Sequence, residues 1–253
     1  MTLTVDRHVA LVTLNRPGAR NALSTPMITE LRRVLKVVDE DEGVSAVVLT
    51  GADPAFCAGV DLSELSAPNY GQGHDMSSFA VRQSDPWLDL TKPIIGAING
   101  FAVTGGLEVA LHCDLLIASE KARFADLHAK FGMLPTWGMS VLLPNAVGGA
   151  FARRMSLSGQ FVDAETALRI GLVTQVTEHG KLIPTALAVA RDIGESSQPA
   201  VRATLANYRR LQHQPLTTGR EIEAESAREF RESDFDPEEI KRRRETLRRG
   251  ERG

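Results

Sequence analysis

The stretch Asn99–Asp114, NGFAVTGGLEVALHCD, carries the most information in the chain. Gly105-Gly106 stands between an extended apolar segment and the run Leu107, Val109, Ala110 and Leu111, which is dense enough in apolar residues to be a buried helix. Two readings of the glycine pair stand side by side. It makes a tight turn into a packed helix, or it lets a ligand oxygen approach free N–H groups at the helix start. Glu108 sits in the first turns of that helix among apolar neighbours, so its carboxylate is expected in a poorly solvated place. A buried carboxylate without a partner has a raised pKa, which suits proton transfer near neutral pH. The alternatives are neutralisation by a distant lysine or arginine, or simple stabilisation of the helix N-terminus. His112, four residues on, shares the face of Glu108 as a partner or as a core histidine.

Upstream, Gly51–Leu62 (GADPAFCAGVDL) comes directly after the continuously apolar segment Ser45–Thr50, SAVVLT. Open α/β sheets place ligand crevices at such strand ends. Ala58-Gly59 removes side-chain bulk there, and Asp61 reads as an N-cap for the segment after it. Cys57 has no nearby basic residue to lower its pKa, so it reads as a small buried hydrophobe. The chain holds no GxSxG, Walker A or GxGxxG motif, which removes the main support for nucleophile-elbow hydrolases, P-loop enzymes and the usual dinucleotide binders.

The remaining elements alternate. His8–Leu14 is a β-branched strand ended by Arg16-Pro17-Gly18, and Ser24-Thr25-Pro26 opens an amphipathic helix through Met27, Leu31, Val34, Leu35 and Val38. Ile94–Ile98 and Leu115–Ala118 are further apolar strands, and strands separated by helices imply parallel pairing with crossovers. Leu62–Trp87 is irregular, and such long segments inside a compact domain are more often functional than structural. Beyond about Gly180 the chain reads as helical, over Leu182–Ile193, Val201–Leu211, Glu221–Phe230 and Pro237–Arg248.

Length and composition fit this α/β picture: 253 residues with 43% hydrophobic and 24% charged content suit one large domain with a helical appendage. A net charge of −3 offers no basic field for nucleic acid, although Lys241–Arg244 and Arg248-Arg249 form a local basic run. Cys57 and Cys113 read as reduced thiols without zinc-site spacing, so no metal is expected. The N-terminal residues have no signal-peptide pattern, and no apolar run approaches the roughly 18 residues of a membrane span. A cytoplasmic globular protein is the expectation.

Taken in order, these motifs resemble the crotonase (enoyl-CoA hydratase/isomerase) superfamily. The resemblance rests on Arg16-Pro17, Asn21-Ala22-Leu23, Phe56–Leu62, Lys92–Asp114, Phe124, Gly132, Pro135, Ala164–Ala167 and Gly171-Leu172-Val173. The run LPTWGMSVLLP is similar to a mycobacterial-type enoyl-CoA hydratase-like branch. The resemblance implies an α/β fold, a ββα spiral core over residues 1–180 that carries an acyl-CoA site. It also implies a C-terminal helical region over 181–253 that makes trimer contacts, with hexamers built as paired trimers. A coenzyme A thioester would be the substrate, with no cofactor besides, and no nucleic acid or membrane as partner.

By motif position, the resemblance assigns the thioester carbonyl to the backbone N–H groups of Val60 and Gly105. Such oxyanion donors are worth on the order of 3–4 kcal/mol each. It places CoA and acyl contacts along Ala19, Arg20, Ala58, Gly59, Val60, Asp61, Leu62, Gly105, Gly106 and Trp137. A typical hydratase uses two glutamates, and Glu108 matches the first. The second falls in FADLHAKFGMLP, where aligning Phe124, Gly132 and Pro135 puts His128 in its place. Asp126, two residues away, is expected to face elsewhere if this stretch is extended. The resulting expectation is hydration of a 2-enoyl-CoA or double-bond isomerisation through a thioester enolate. The alternative is a noncatalytic acyl-CoA-binding protein that has lost the second glutamate.

Overall fold

The computed structural model describes residues 1–65, 90–135, 137–211, 229 and 233. The chain begins with a hairpin of β1 (Thr2–Asp6) and β2 (Val9–Leu14) and continues into α1 (Thr25–Glu40), β3 (Ala46–Gly51), β4 (Ala55–Cys57) and α2 (Leu62–Leu65). Next come β5 (Ile94–Ile98), β6 (Phe101–Val103), α3 (Gly105–Leu111), β7 (Leu115–Ser119) and β8 (Arg123–Ala125). The last described elements are α4 (Met139–Val147), α5 (Gly149–Ser158), β9 (Val162–Asp163), α6 (Ala164–Arg169), β10 (Gln175–Thr177), α7 (Leu182–Gly194) and α8 (Gln198–Leu211).

From β3 to β8, successive strands go to alternate sheets. One has six strands in the order β1-β2-β3-β5-β7-β10, and the other has four in the order β4-β6-β8-β9. From β2 to β10 the large sheet is parallel, with Val9 opposite Ala46 and Val47 opposite Ile94. In the small sheet β4, β6 and β8 are parallel and β9 closes it antiparallel. Two strands and a helical turn per lap make a ββα spiral. Among the strands hidden from the sequence reading is β1, all five residues of which are exposed, so no apolar pattern marks it.

Both faces of the large sheet are covered, which explains its unbroken apolar strands. Along β3, Val47 and Leu49 join the cluster under α1, while Ala46 and Val48 meet Leu182, Ala186 and Ala190 of α7. The apolar stripe of α1 is Met27, Ile28, Leu31, Val34, Leu35 and Val38. Ser24 caps the start of α1, its side chain accepting from Met27 N at 3.4 Å. At the other end, fully buried Lys92 donates from Nζ to the carbonyls of Val38 and Asp41, where a cation complements the helix C-terminus.

Two close contacts fix the part of the fold that matters for the site. Gly106 of α3 lies against the backbone of Cys57 in β4, where an added Cβ would come within 2.1 Å of the Cys57 carbonyl oxygen. Asn21, fully buried and at φ +56°, donates from Nδ2 to Ala52 O and Ala55 O and accepts from Arg16 N. The loop before α1 is thereby bolted to the β3–β4 turn.

The chain forms two compact units, Met1–Glu195 and Ser196–Gly253. The helix at 182–194, within the helical region anticipated from 181, belongs to the first unit. The second is described through α8, whose last turn carries Arg209 and Arg210. The helices anticipated at Glu221–Phe230 and Pro237–Arg248, the basic run at 241–249 and most of Leu62–Trp87 lie outside the described residues. Among the described residues no helix is long and apolar enough to cross a membrane.

Candidate active site

The first of two facing turns is Ala58-Gly59-Val60. Leu23 N donates to Gly59 O at 2.8 Å and Asp61 N to Leu23 O at 3.1 Å, so the parallel bridge between Leu23 and Val60 passes over the Val60 N–H. That N–H therefore points away from Leu23. Gly59 is at φ +96°, and a Cβ there would come within 2.9 Å of Val103 O and 3.3 Å of Gly105 N. The turn needs glycine both for its dihedral and for the close approach.

The second turn joins β6 to α3. Thr104 adopts φ +55° and ψ −118°, a strained conformation for a β-branched residue, and its N–H is held by Ala125 O at 2.9 Å. Gly105 comes next as the first helical residue, so its N–H has no acceptor within α3. A Cβ on Gly105 would lie 3.4 Å from Val60 N and 3.1 Å from Cζ3 of Trp137. The backbones of Val60 and Gly105 thus stand next to each other with Trp137 alongside.

One turn further along α3, Glu108 is 2% exposed. Its Oε1 accepts from Trp137 N at 2.8 Å and Met139 N at 3.3 Å, while Oε2 lies 3.7 Å from His128 Nε2. Burial pushes its pKa upward, against the opposing pull of His128 and the two N–H groups. The expected raised acid is present. Among the described residues it is neither neutralised by lysine or arginine nor partnerless, since two N–H groups fix one oxygen and leave the other facing His128. His112 shares this helix face and braces the same segment, its Nε2 donating to Trp137 O at 2.8 Å.

His128 and Asp126 give a correction. Asp126 does not face elsewhere: it is buried, and its Oδ1 accepts from both His128 Nδ1 at 2.7 Å and His128 N at 3.1 Å. The reason is local. The chain leaves β8 at Ala125 and curls at once, with His128 at φ −52° and ψ −50° opening a short helical turn, Ala129–Phe131. Strand alternation does not extend to residues 126–128, and aspartate bonding the backbone two residues on is the usual turn device. Ser156 of α5 also hydrogen-bonds the Asp126 side chain. Burial raises the pKa of Asp126, but the hydrogen bonds from His128 and Ser156 outweigh it and hold the group below the ordinary value.

The remaining assigned residues surround the first turn. Ala19 closes a short helical turn, Pro17–Ala19, and the carbonyl of Arg20, a residue at φ +50°, accepts from Ala58 N at 3.0 Å, so these two lie beside Ala58. Asp61 caps α2, its Oδ1 accepting from Ser63 N at 3.0 Å and Ser63 Oγ at 2.6 Å. Its Oδ2 pairs with Arg16, and these bonds, Ser63 first and Arg16 second, draw its pKa down to about 2. With its carboxylate so engaged, Asp61 shapes the turn that leads into Leu62. Cys57 is buried with its thiol pushed up to about 12, as a packing residue would be. Sequence reasoning missed the roles of Asp126, Ser156 and Thr104. The available signal for the first was the D-x-H spacing directly after a strand.

A ββα spiral that sets the backbones of Val60 and Gly105 side by side, at the start of the helix that carries buried Glu108, has the architecture of the crotonase superfamily. Known sequences agree. An enoyl-CoA hydratase structure from Mycobacterium tuberculosis H37Rv is 50% identical, with 92% of this chain and 99% of that one covered at a TM-score of 0.76. An enoyl-CoA hydratase structure from Bacillus anthracis is 30% identical, with 97% of both chains covered at a TM-score of 0.89. A probable peroxisomal enoyl-CoA hydratase from Arabidopsis thaliana is 40% identical over 193 residues, 76% of this chain and 72% of its own length. The chain belongs to the enoyl-CoA hydratase/isomerase family, whose profile matches residues 4–247.

Proposed function

We propose that the protein hydrates a 2-enoyl-CoA. The observation that carries this reading is Glu108, buried with Oε1 fixed by Trp137 N and Met139 N and Oε2 turned to His128, on the helix whose first N–H stands beside Val60. In this reading the thioester oxygen takes hydrogen bonds from Val60 N–H and Gly105 N–H, which stabilise the negative charge as it develops. Glu108 removes a proton from water as its oxygen bonds to C3. The π electrons move to the thioester oxygen, and the resulting enolate takes a proton at C2 from the His128 side. Ala19, Arg20, Ala58–Leu62 and Trp137 line the path of the CoA and acyl portions. The coenzyme A thioester enters as substrate, with no further cofactor in the scheme. The pairing of His128 with buried Asp126 supports a catalytic protein over a mere acyl-CoA binder, because a buried oriented imidazole facing a carboxyl group has an acid–base use.

The same proposal covers assembly and location. A homotrimer or a dimer of trimers is supported by apolar side chains left in solvent at Phe131, Leu134 and Leu157. Two free cysteines suit a reducing cytoplasm. The deciding experiment is Glu108→Gln, assayed for turnover of a short 2-enoyl-CoA and for calorimetric binding of the saturated analogue. Turnover is expected to fall at least about 100-fold, the lower range for a general acid–base group, while binding persists. Turnover at the parent rate removes Glu108 from the chemistry and the proposal with it.

A further inference from the structure

We propose that Asp126 is a positioning residue that fixes the tautomer of His128 and so sets which ring nitrogen exchanges protons with the substrate. The inference rests on the hydratase reading above and deepens it. A carboxylate oxygen only accepts, and Asp126 Oδ1 lies 2.7 Å from His128 Nδ1, so Nδ1 carries the proton. Oδ1 also accepts the His128 backbone N–H at 3.1 Å, and Ser156 holds the carboxylate from α5. Ring, backbone and carboxylate are therefore locked together, with the side chains of Asp126 and His128 both nearly out of solvent. The nitrogen left over, Nε2, is the one 3.7 Å from Glu108 Oε2.

That separation is too long for a direct hydrogen bond and short enough for the two groups to face one reacting molecule. Among the described residues, Glu108 from α3 and Asp126 from the turn after β8 are the charged groups that face the ring. The protons balance. The Glu108–His128 pair carries one exchangeable proton, starting as carboxylate and imidazolium. Glu108 Oε2 takes the proton of the attacking water while Nε2–H gives its proton to C2, and Nδ1–H stays on Asp126 throughout. The pair ends with the proton on Glu108, and its return to Nε2 resets the site. If Nδ1 lost its acceptor, a neutral ring would be free to put its proton on Nε2, the nitrogen this cycle must leave unprotonated after each turnover.

The test is Asp126→Asn, with Asp126→Asn/His128→Gln alongside it. In the parent background kcat is expected to fall about 10²–10⁴-fold, the span of a general acid–base contribution, with KM nearly unchanged. In the His128→Gln background the same substitution is expected to cost nothing more, because a residue that acts through another is silent once that other is gone. A second measurement needs no variant of Asp126. Long-range ¹H–¹⁵N spectra of histidine-labelled parent, with the His128 signals identified by their loss in His128→Gln and the pH raised until the ring is neutral, are expected to show the remaining ring proton on Nδ1. A neutral His128 ring protonated on Nε2 in the parent overturns the proposal, as does an Asp126→Asn protein with parent kcat or with an equal loss in both backgrounds. If Glu108→Gln silences turnover and Asp126→Asn does not, the role of Asp126 fails and the hydratase reading stands. If Glu108→Gln leaves turnover intact, the hydratase reading has failed first.

Discussion

Replacing Gly106 with alanine tests whether the two turns are held together as described. The added Cβ would lie 2.1 Å from the Cys57 carbonyl oxygen, 2.7 Å from its carbon and 2.9 Å from Cys57 Cβ. All three partners are backbone or a fully buried side chain, so none can swing aside. Reaching even 3.0 Å from the oxygen requires α3 and β4 to part by about 0.9 Å, in a core packed to crystalline density. Overpacking of this kind costs about 1–3 kcal/mol, or roughly 2–4 °C in melting temperature per kcal/mol for a chain of this size. The activity cost should be larger than that suggests. Gly105 N–H rides on the same helix end, and a misplacement of about 1 Å is worth around 100-fold in rate. Thermal melts and kcat/KM for a short 2-enoyl-CoA would be measured on Gly106→Ala and Gly105→Val together. Gly105→Val is expected to fold but to obstruct the carbonyl site, since its Cβ meets the movable Trp137 ring at 3.1 Å and Val60 N at 3.4 Å. A Gly106→Ala protein with the melting temperature and kcat/KM of the parent would refute the argument that this contact sets the distance between the turns.

The same geometry makes other perturbations informative. Glu108→Gln keeps an acceptor for Trp137 N and Met139 N but removes a carboxyl whose pKa is raised by burial. Ionised Glu108 penalises the folded state above its unfolded pKa, so the variant should gain stability relative to the parent as pH rises from about 4.5 toward neutrality, as read by chemical denaturation across pH. Asp61 runs the other way. Its pKa is lowered to about 2, so its contribution is complete above the ordinary carboxylate value and is lost as pH falls toward 2; Asp61→Asn should flatten that acid limb of the stability curve. Asn21→Ala removes the side-chain bonds to Arg16 N, Ala52 O and buried Ala55 O and puts alanine at φ +56°, and a loss of about 1–3 kcal/mol is expected in urea unfolding.

The parallel sheet and α1 were legible because their signals are redundant. Ser24, Pro26 and the stripe from Met27 to Val38 all say helix, and Ser45–Thr50 has no polar face to mislead. The small sheet was not legible. Its strands, such as Ala55–Cys57 and Phe101–Val103, are three residues long, and they exist because the spiral delivers them side by side. At the site, glycines and a lone glutamate in an apolar helix announced themselves by being out of place. Asp126 did not, because its role depends on where the strand stops. Ala125 ends β8 and Leu127 is already outside it, and a boundary error of two residues reverses the direction in which Asp126 points. Trp137 reads from the sequence as a ligand contact, but its backbone proves as important, since N–H and carbonyl bind Glu108 and His112.

The contact between Gly106 and Cys57 also divides the site by how freely its parts can vary. On the proposed reading the carbonyl-polarising pair is assembled from backbone packed inside the core, where a Cβ at Gly59 or Gly106 would meet neighbouring backbone oxygen at 2.9 Å or 2.1 Å. The proton-handling partner hangs on a turn of a few residues between β8 and the helices beyond it. Drift at Gly59 or Gly106 is therefore a threat to folding before it is a change of reaction. Drift at 126–128 leaves the frame standing and swaps the acid it offers. On that reading the scaffold is a platform for changing chemistry: the holding of an enolate sits in its least mutable region, and the fate of that enolate is left to a short peptide that selection can rewrite.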